Sequence, residues 1–317
     1  MKLKLSQEDI MHRRYCLIGS LIVLSQFYIR MTVGQEMDNV PKAFEELNFK
    51  PKTILLDNKI KVPTTNGHLQ GIQYIEKNDE EKLLISGSSH TTAYIIQADI
   101  DTRKVDKLIP LMSDPYRHAG GIQATSQYVI AGIEDNYTKR TSRVCIYNYL
   151  NDNFYKAHPD VTISREGEPE RKTAGATGLL AIEDGYLAVI GNWDSRNWDF
   201  YHLDLINSRH HFLKSFNAPD NWPGYQSINL IKDKQAIYAV AFYKKEAINY
   251  ADLILISKNG RFKPVMEKVC TKRFHGGNGA DFGSAAGLHV DKEGNLHIWS
   301  SQKDATKQIA VSRFSQK

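Results

Sequence analysis

The chain has 317 residues, 41% hydrophobic and 24% charged, with a formal net charge of +5. That composition is ordinary for a folded globular protein. The first 34 residues supply +3 of the charge, and the rest holds no Lys/Arg run, so a nucleic-acid partner is excluded. Aromatic residues make up 10% of the chain and 16 of them are tyrosine, which leans toward β structure.

The N-terminus reads as a targeting segment. His12-Arg13-Arg14 is a basic region, the stretch from Tyr15 to Tyr28 is apolar, and Thr32-Val33-Gly34 offers small residues for cleavage, leaving Gln35 as the mature start. Met11 is an alternative initiator. An uncleaved anchor is the competing reading, but Ser20, Ser25 and Gln26 break the apolar run below the roughly 20 residues a spanning helix needs. Residues 1–34 are therefore expected to be a signal peptide, 35–50 a polar linker with a short helix near Pro41 to Leu47, and 51–317 a single β domain. The protein is expected to be secreted or periplasmic, with no stable membrane span after cleavage. Cys16 leaves with the signal, and Cys145 and Cys270 are expected to be two separate buried thiols.

From Lys52 onward the pattern is one of short β runs. Ile54-Leu55-Leu56 is a lone strand. A small residue before an aliphatic one then recurs at Gly71-Ile72, Gly121-Ile122, Gly178-Leu179, Ser227-Ile228 and Gly287-Leu288, spaced by 50, 57, 49 and 60 residues. Each anchor opens a strand that ends in a polar turn, such as Asn78-Asp79 or Glu183-Asp184-Gly185, followed by a strongly apolar strand such as Tyr186 to Ile190. An alternating third strand and a more polar fourth follow, with Asn259-Gly260 the best single hairpin signal. Five four-stranded units at this period predict an all-β fold, a five-bladed β-propeller. The last unit runs out after three strands near Phe314, so the strand at Ile54 is expected to close the ring as its outer edge.

In such a fold the first strands line a central channel, and the long loops gather on one face. Those loops are Asp114 to His118, Glu134 to Arg143, His158 to Gly175, Asn192 to Asn197, Asn217 to Gly224, Tyr243 to Ala247 and Val269 to Phe282. His68 and His118 fall three residues before their anchors and are expected at the channel mouth, either as ligand-binding or acid–base groups or as hydrogen-bonding fixtures of the repeat. Glu134, Asp135, Asp194 and Asp281 are the candidate catalytic carboxylates, since glycoside hydrolysis needs two; capping of loop turns is the plainer role. Trp193, Trp198 and Trp222 are candidate stacking platforms or small cores beneath the loops, with Tyr225 and His275 as further ligand-binding candidates. His275-Gly276-Gly277-Asn278-Gly279 has no helix or lysine behind it and is no phosphate loop. Asp291-Lys292-Glu293-Gly294-Asn295 lacks the later glutamate of a calcium loop and reads as a hairpin turn. No metal site and no cofactor are expected.

The run His118-Ala119-Gly120-Gly121-Ile122-Gln123, with Tyr128 to Asp135 and Ser142 to Tyr147 after it, resembles a pattern in uncharacterised exported bacterial β-propeller proteins, over about 30 residues of the second unit. The resemblance implies fold and export and carries no activity. Three functions stand open: a recognition module for a small molecule or glycan on the long-loop face, a saccharide hydrolase with paired carboxylates, and a protein-interaction scaffold.

Overall fold

The computed structural model describes residues 35–258, 262 and 264–317. The targeting segment, Cys16 and the Asn259-Gly260 pair lie outside the described residues. The fold is all-β, with closed and nearly closed sheets. No helix among the described residues is long and apolar enough to cross a membrane.

The chain enters through α1 (Val40–Glu46), capped by Asn39, whose side chain accepts from Lys42 N. β1 (Lys52–Asp57) follows. Antiparallel meanders come next: β2 (Leu69–Lys77), β3 (Glu80–Gly87), β4 (Thr92–Asp99) and β5 (Lys104–Ser113); then β6 (Tyr116–Ala124), β7 (Tyr128–Asp135), β8 (Thr141–Asn148) and, after the single turn α2 (Asp152–Tyr155), β9 (Val161–Glu166). The third meander is β10 (Ala176–Ile182), β11 (Gly185–Gly191), β12 (Asn197–Asp204) and β13 (Arg209–Asn217); the fourth is β14 (Ser227–Lys232), β15 (Ala236–Lys245), β16 (Ile248–Lys258) and β17 (Glu267–Phe274). The last holds β18 (Ala285–Val290), β19 (Leu296–Ser301) and β20 (Gln308–Ser315), with β1 paired antiparallel to β20 from Lys52↔Arg313 to Asp57↔Gln308. Single parallel pairs join meanders, Ala176↔Gly121 and Ala286↔Gly71 between first strands and Asp57↔Lys104 between outer ones.

Apolar side chains on the meander faces form clusters between consecutive meanders. One joins Ile75 and Leu84 to Ile122 and Val129; another joins Leu187 and Phe200 to Ile228 and Ile254. The outer strands are the exposed ones, as β13 shows along most of its length.

The first strands meet at the axis, which is filled by amides. Gln73 Nε2 donates to Asn229 Oδ1 at 2.9 Å, and Gln123 Oε1 accepts from Leu179 N at 2.8 Å and Leu230 N at 2.7 Å. Asn229 Nδ2 donates to Ile122 O, and Gln35 Nε2 donates to Ala124 O and Leu179 O. These amides take up backbone groups of the first strands, which makes the axis a polar core, with Gln35 Oε1 left without a partner.

Several expected loops are shorter than their sequence bounds. Most of Asp114 to His118 belongs to β6, Val161–Glu166 is a strand inside the stretch His158 to Gly175, and β17 occupies the first half of Val269 to Phe282. Residues 35–47, read as a linker, dock on the body: Val40, Phe44 and Leu47 are buried with Phe242, Phe274 and Phe314, and Met37 N donates to Lys232 O. The expectation that both thiols are buried also needs correction. Cys145 is buried in β8, but Cys270 is exposed, because β17 is an outer strand; both are free.

Candidate functional site

The His-Ala-Gly-Gly-Ile-Gln run forms most of β6, and its irregular pairing builds the site. Register slips once between Tyr116 and His118 and again between Ala119 and Ile122, so Arg117 and the Gly120-Gly121 pair sit in bulges. A Cβ on Gly120 would lie 2.2 Å from Gly175 O, and one on Gly121 would lie 2.6 Å from Ser227 Oγ. Glycine is required there so that neighbouring first strands can close on β6. The bulges set His118 directly opposite Glu134 on β7, and the two side chains share one face.

A cavity of about 140 Å³ opens beside this pair. β2 and the turn before it contribute His68 and Gln70; the β11–β12 turn contributes Asn192, Trp193 and Asp194; the segment before β14 contributes Tyr225 and Gln226. The turn is fixed by hydrogen bonds: Asn197 N donates to Asn192 Oδ1 at 2.7 Å, Trp193 N to Thr173 Oγ1 at 2.6 Å, and Ser195 Oγ to Tyr225 O at 2.8 Å. Asp194 and Ser195 are held in the left-handed region, at φ of 53° and 50°. Two such residues in succession cost on the order of 1–3 kcal/mol each and persist only where their surroundings dictate them.

Glu134 has no solvent exposure. Its Oε1 accepts from Ala174 N at 2.7 Å, while Oε2 is buried with no hydrogen-bond partner. His118 Nε2 lies 3.6 Å from that oxygen, beyond hydrogen-bonding reach. Burial pushes the Glu134 carboxyl up to about 7, against the Ala174 N–H, the Thr173 hydroxyl and the Arg165 and Lys139 charges. Burial, with His68 nearby, brings His118 down to about 4, so it is neutral at physiological pH. The rings of His68 and His118 are 6.4 Å apart, edge to face, and Trp193 is 6.3 Å from His118. Lys139 Nζ sits 3.9 Å from the Trp193 ring and 3.0 Å from Glu170, which closes the rim.

The sequence-derived candidates divide. His68, His118, Glu134, Trp193, Asp194 and Tyr225 converge on the cavity, though the Tyr225 hydroxyl is committed to buried Asp252 at 2.6 Å and offers only its ring. Asp135 does not join them. It caps its own turn, accepting from Tyr137 N and from Thr138, and these donors hold it below the usual carboxylate range despite its burial. Asp281 pairs with Lys244 at 2.8 Å and accepts from Gly283 N, away from the cavity. Trp198 and Trp222 are buried, packed edge to face at 6.2 Å with Tyr225 beneath the loops, so Trp193 is what remains of the expected stacking platform. His275 accepts from Gly277 N and lines a separate apolar depression with Phe49 and Phe274. No group of described residues is arranged to hold a metal ion.

Gln70, Asn192 and Gln226 line the cavity and were not singled out. Gln70 and Gln226 both directly precede a repeat anchor, and that column was the available signal.

No family model and no curated protein matches the chain. Among solved structures, it is similar to a member of the DUF4221 family from Bacteroides vulgatus, at 12% identity and a TM-score of 0.40, covering 84% of this chain and 97% of that one. It is also similar to the exo-beta-1,3-galactanase of Phanerochaete chrysosporium crystallised with beta-1,3-galactotriose, at 6% identity and 0.48, covering 82% and 64%. A third likeness is to the Pan2 WD40 domain of Neurospora crassa, at 8% and 0.43, covering 84% and 94%. The fold class rests on the strand pairing itself, and none of these likenesses carries the functional reading.

Proposed function

We propose that the protein is an exported five-bladed β-propeller, each meander a blade and β1 the outer strand of the last, that recognises a small polyhydroxylated molecule or one ring of a glycan at the axis mouth. The observation that carries this reading is the buried, partnerless Oε2 of Glu134 facing neutral His118 inside a cavity. An unsatisfied buried oxygen costs about 1–3 kcal/mol, and a ligand that donates to it recovers that energy. Drug-sized ligands occupy roughly 300–1,000 Å³, so about 140 Å³ suits a single small ring. Half-buried Trp193 supplies an apolar wall, and Gln70 and Gln226 supply amides around it, while the Asn192 amide is held by Glu170 and Asn197.

A thermal-shift screen of monosaccharides and oligosaccharides tests the reading. A hit is expected to raise the melting temperature of the wild type and to have no effect on Glu134→Gln; if no saccharide moves the wild type, the reading is wrong.

A second reading, saccharide hydrolysis, is favoured by one specific observation. Glu134 titrates near 7, as suits a general acid, and Asp194 lines the same cavity as a second carboxylate. Release of reducing ends from a bound oligosaccharide, lost in Asp194→Asn, would establish it.

A further inference from the structure

The charge of the cavity lining narrows the ligand class. Glu134 and Asp194 both line it, and no lysine or arginine does. Arg165 donates to Asp199 at 2.7 Å, a carboxylate it shares with Arg171 and Lys172, and Lys139 sits against Glu170 and the face of Trp193. Anionic ligands are thereby disfavoured, because a second negative charge would enter an acid-lined cavity with no lysine or arginine in its wall.

Between neutral and cationic donors, the geometry of acceptors decides. Glu134 Oε2 and His118 Nε2 lie 3.6 Å apart, and the neutral imidazole in the appropriate tautomer presents a lone pair on that nitrogen. In that tautomer a hydroxyl, with one hydrogen, donates to only one of the two. An ammonium carries three, can donate to both with one to spare for a neighbouring amide oxygen, and brings the charge that the carboxylate lacks. The Tyr225 ring adds a wall of the kind that favours a cation, while the Trp193 ring already carries Lys139.

We infer that the cavity binds its ligand through a primary ammonium group, so that, within the saccharide reading on which this rests, the ligand class is an amino sugar with a free amine. The groups facing Glu134 are His118 from β6, His68 from the start of β2, Asp194 from the β11–β12 turn, Arg165 from β9 and Lys139 from the β7–β8 turn. Of these His118 is neutral, and Arg165 and Lys139 already have partners. Binding an ammonium requires ionised Glu134, so it expels the carboxyl proton to solvent.

Calorimetry on the full chain at about pH 6.5, with glucosamine, glucose, N-acetylglucosamine and methylammonium as probes, tests this. Glucosamine is expected to bind at least about tenfold more tightly than glucose or the acetylated sugar, with heats that vary with the buffer's ionisation enthalpy because a proton is released. Glu134→Gln is expected to abolish the preference. Asp194→Asn, a change at an exposed position, is expected to weaken glucosamine severalfold and leave melting unchanged. Equal binding of glucose and glucosamine would overturn the amine inference and leave the saccharide reading standing. Methylammonium binding with no sugar binding would support the ammonium site and overturn the saccharide reading. Binding of none of the four probes would overturn both.

Discussion

Glu134 Oε2 and His118 Nε2 face each other at 3.6 Å across β6 and β7, and burial holds each away from its charged form. The pair is therefore neutral near pH 6, and each member makes stability depend on pH in the opposite sense.

Glu134 has its ordinary value near 4.5 when unfolded and about 7 when folded, so the folded state holds the extra proton between them. Its contribution is complete below about 4.5 and is lost as pH rises to about 7. His118, at 6.5 unfolded and about 4 folded, contributes above about 6.5 and loses that contribution as pH falls toward 4. Wild-type stability is thus expected to vary little where the windows overlap. Glu134→Gln removes the falling limb, worth at most on the order of 3 kcal/mol, and exposes the His118 slope. Urea midpoints across about pH 4–8 check this; an unchanged profile in the variant would count against the assignment.

The amide core at the axis gives a second test. Gln123 takes two backbone N–H groups on its Oε1 and donates to Leu230 O at 2.7 Å. Gln123→Ala leaves these buried groups without partners, for an expected loss of about 3 kcal/mol or more by denaturant unfolding. An equal-sized loss in Ser126→Ala, at an exposed turn, would indicate a nonspecific effect.

The tryptophans separate binding from folding. Trp198 is fully buried and its Nε1 donates to Ser195 O at 2.8 Å, so Trp198→Ala is expected to cost about 3–5 kcal/mol. Trp193 is only half-buried on the cavity wall, and Trp193→Ala is expected to weaken ligand binding with a stability loss under about 1 kcal/mol. Melting curves and calorimetry on both variants check the contrast.

The docked N-terminal segment gives the fourth. Phe44 is fully buried against the fourth and fifth meanders, and Phe44→Ala is expected to destabilise the whole domain by about 3–5 kcal/mol in one cooperative transition. A free linker would show no change.

Strand order, hairpin turns and the lone strand at Ile54 were legible in the sequence, because period-two patterning and turn chemistry are local properties of a few residues. The two histidines were legible as residues three before the anchors, and Glu134 as a candidate carboxylate at the end of a second strand. The tertiary structure decided what each would do. Asp135 and Glu134 are adjacent in the chain, yet one caps a turn and the other is buried with one oxygen unpartnered, because successive side chains at the end of β7 point to opposite faces. Trp193 and Trp198 sit five residues apart, and only the strained turn at Asp194 sends one to the cavity and the other to the core. Residues 35–47 look polar in isolation, but their few apolar side chains meet a waiting groove 190 residues and more downstream. Local chemistry determined the elements. Only the long-range register of β6 against β7, set by bulges that no single stretch announces, brought His118 opposite Glu134 and made a site.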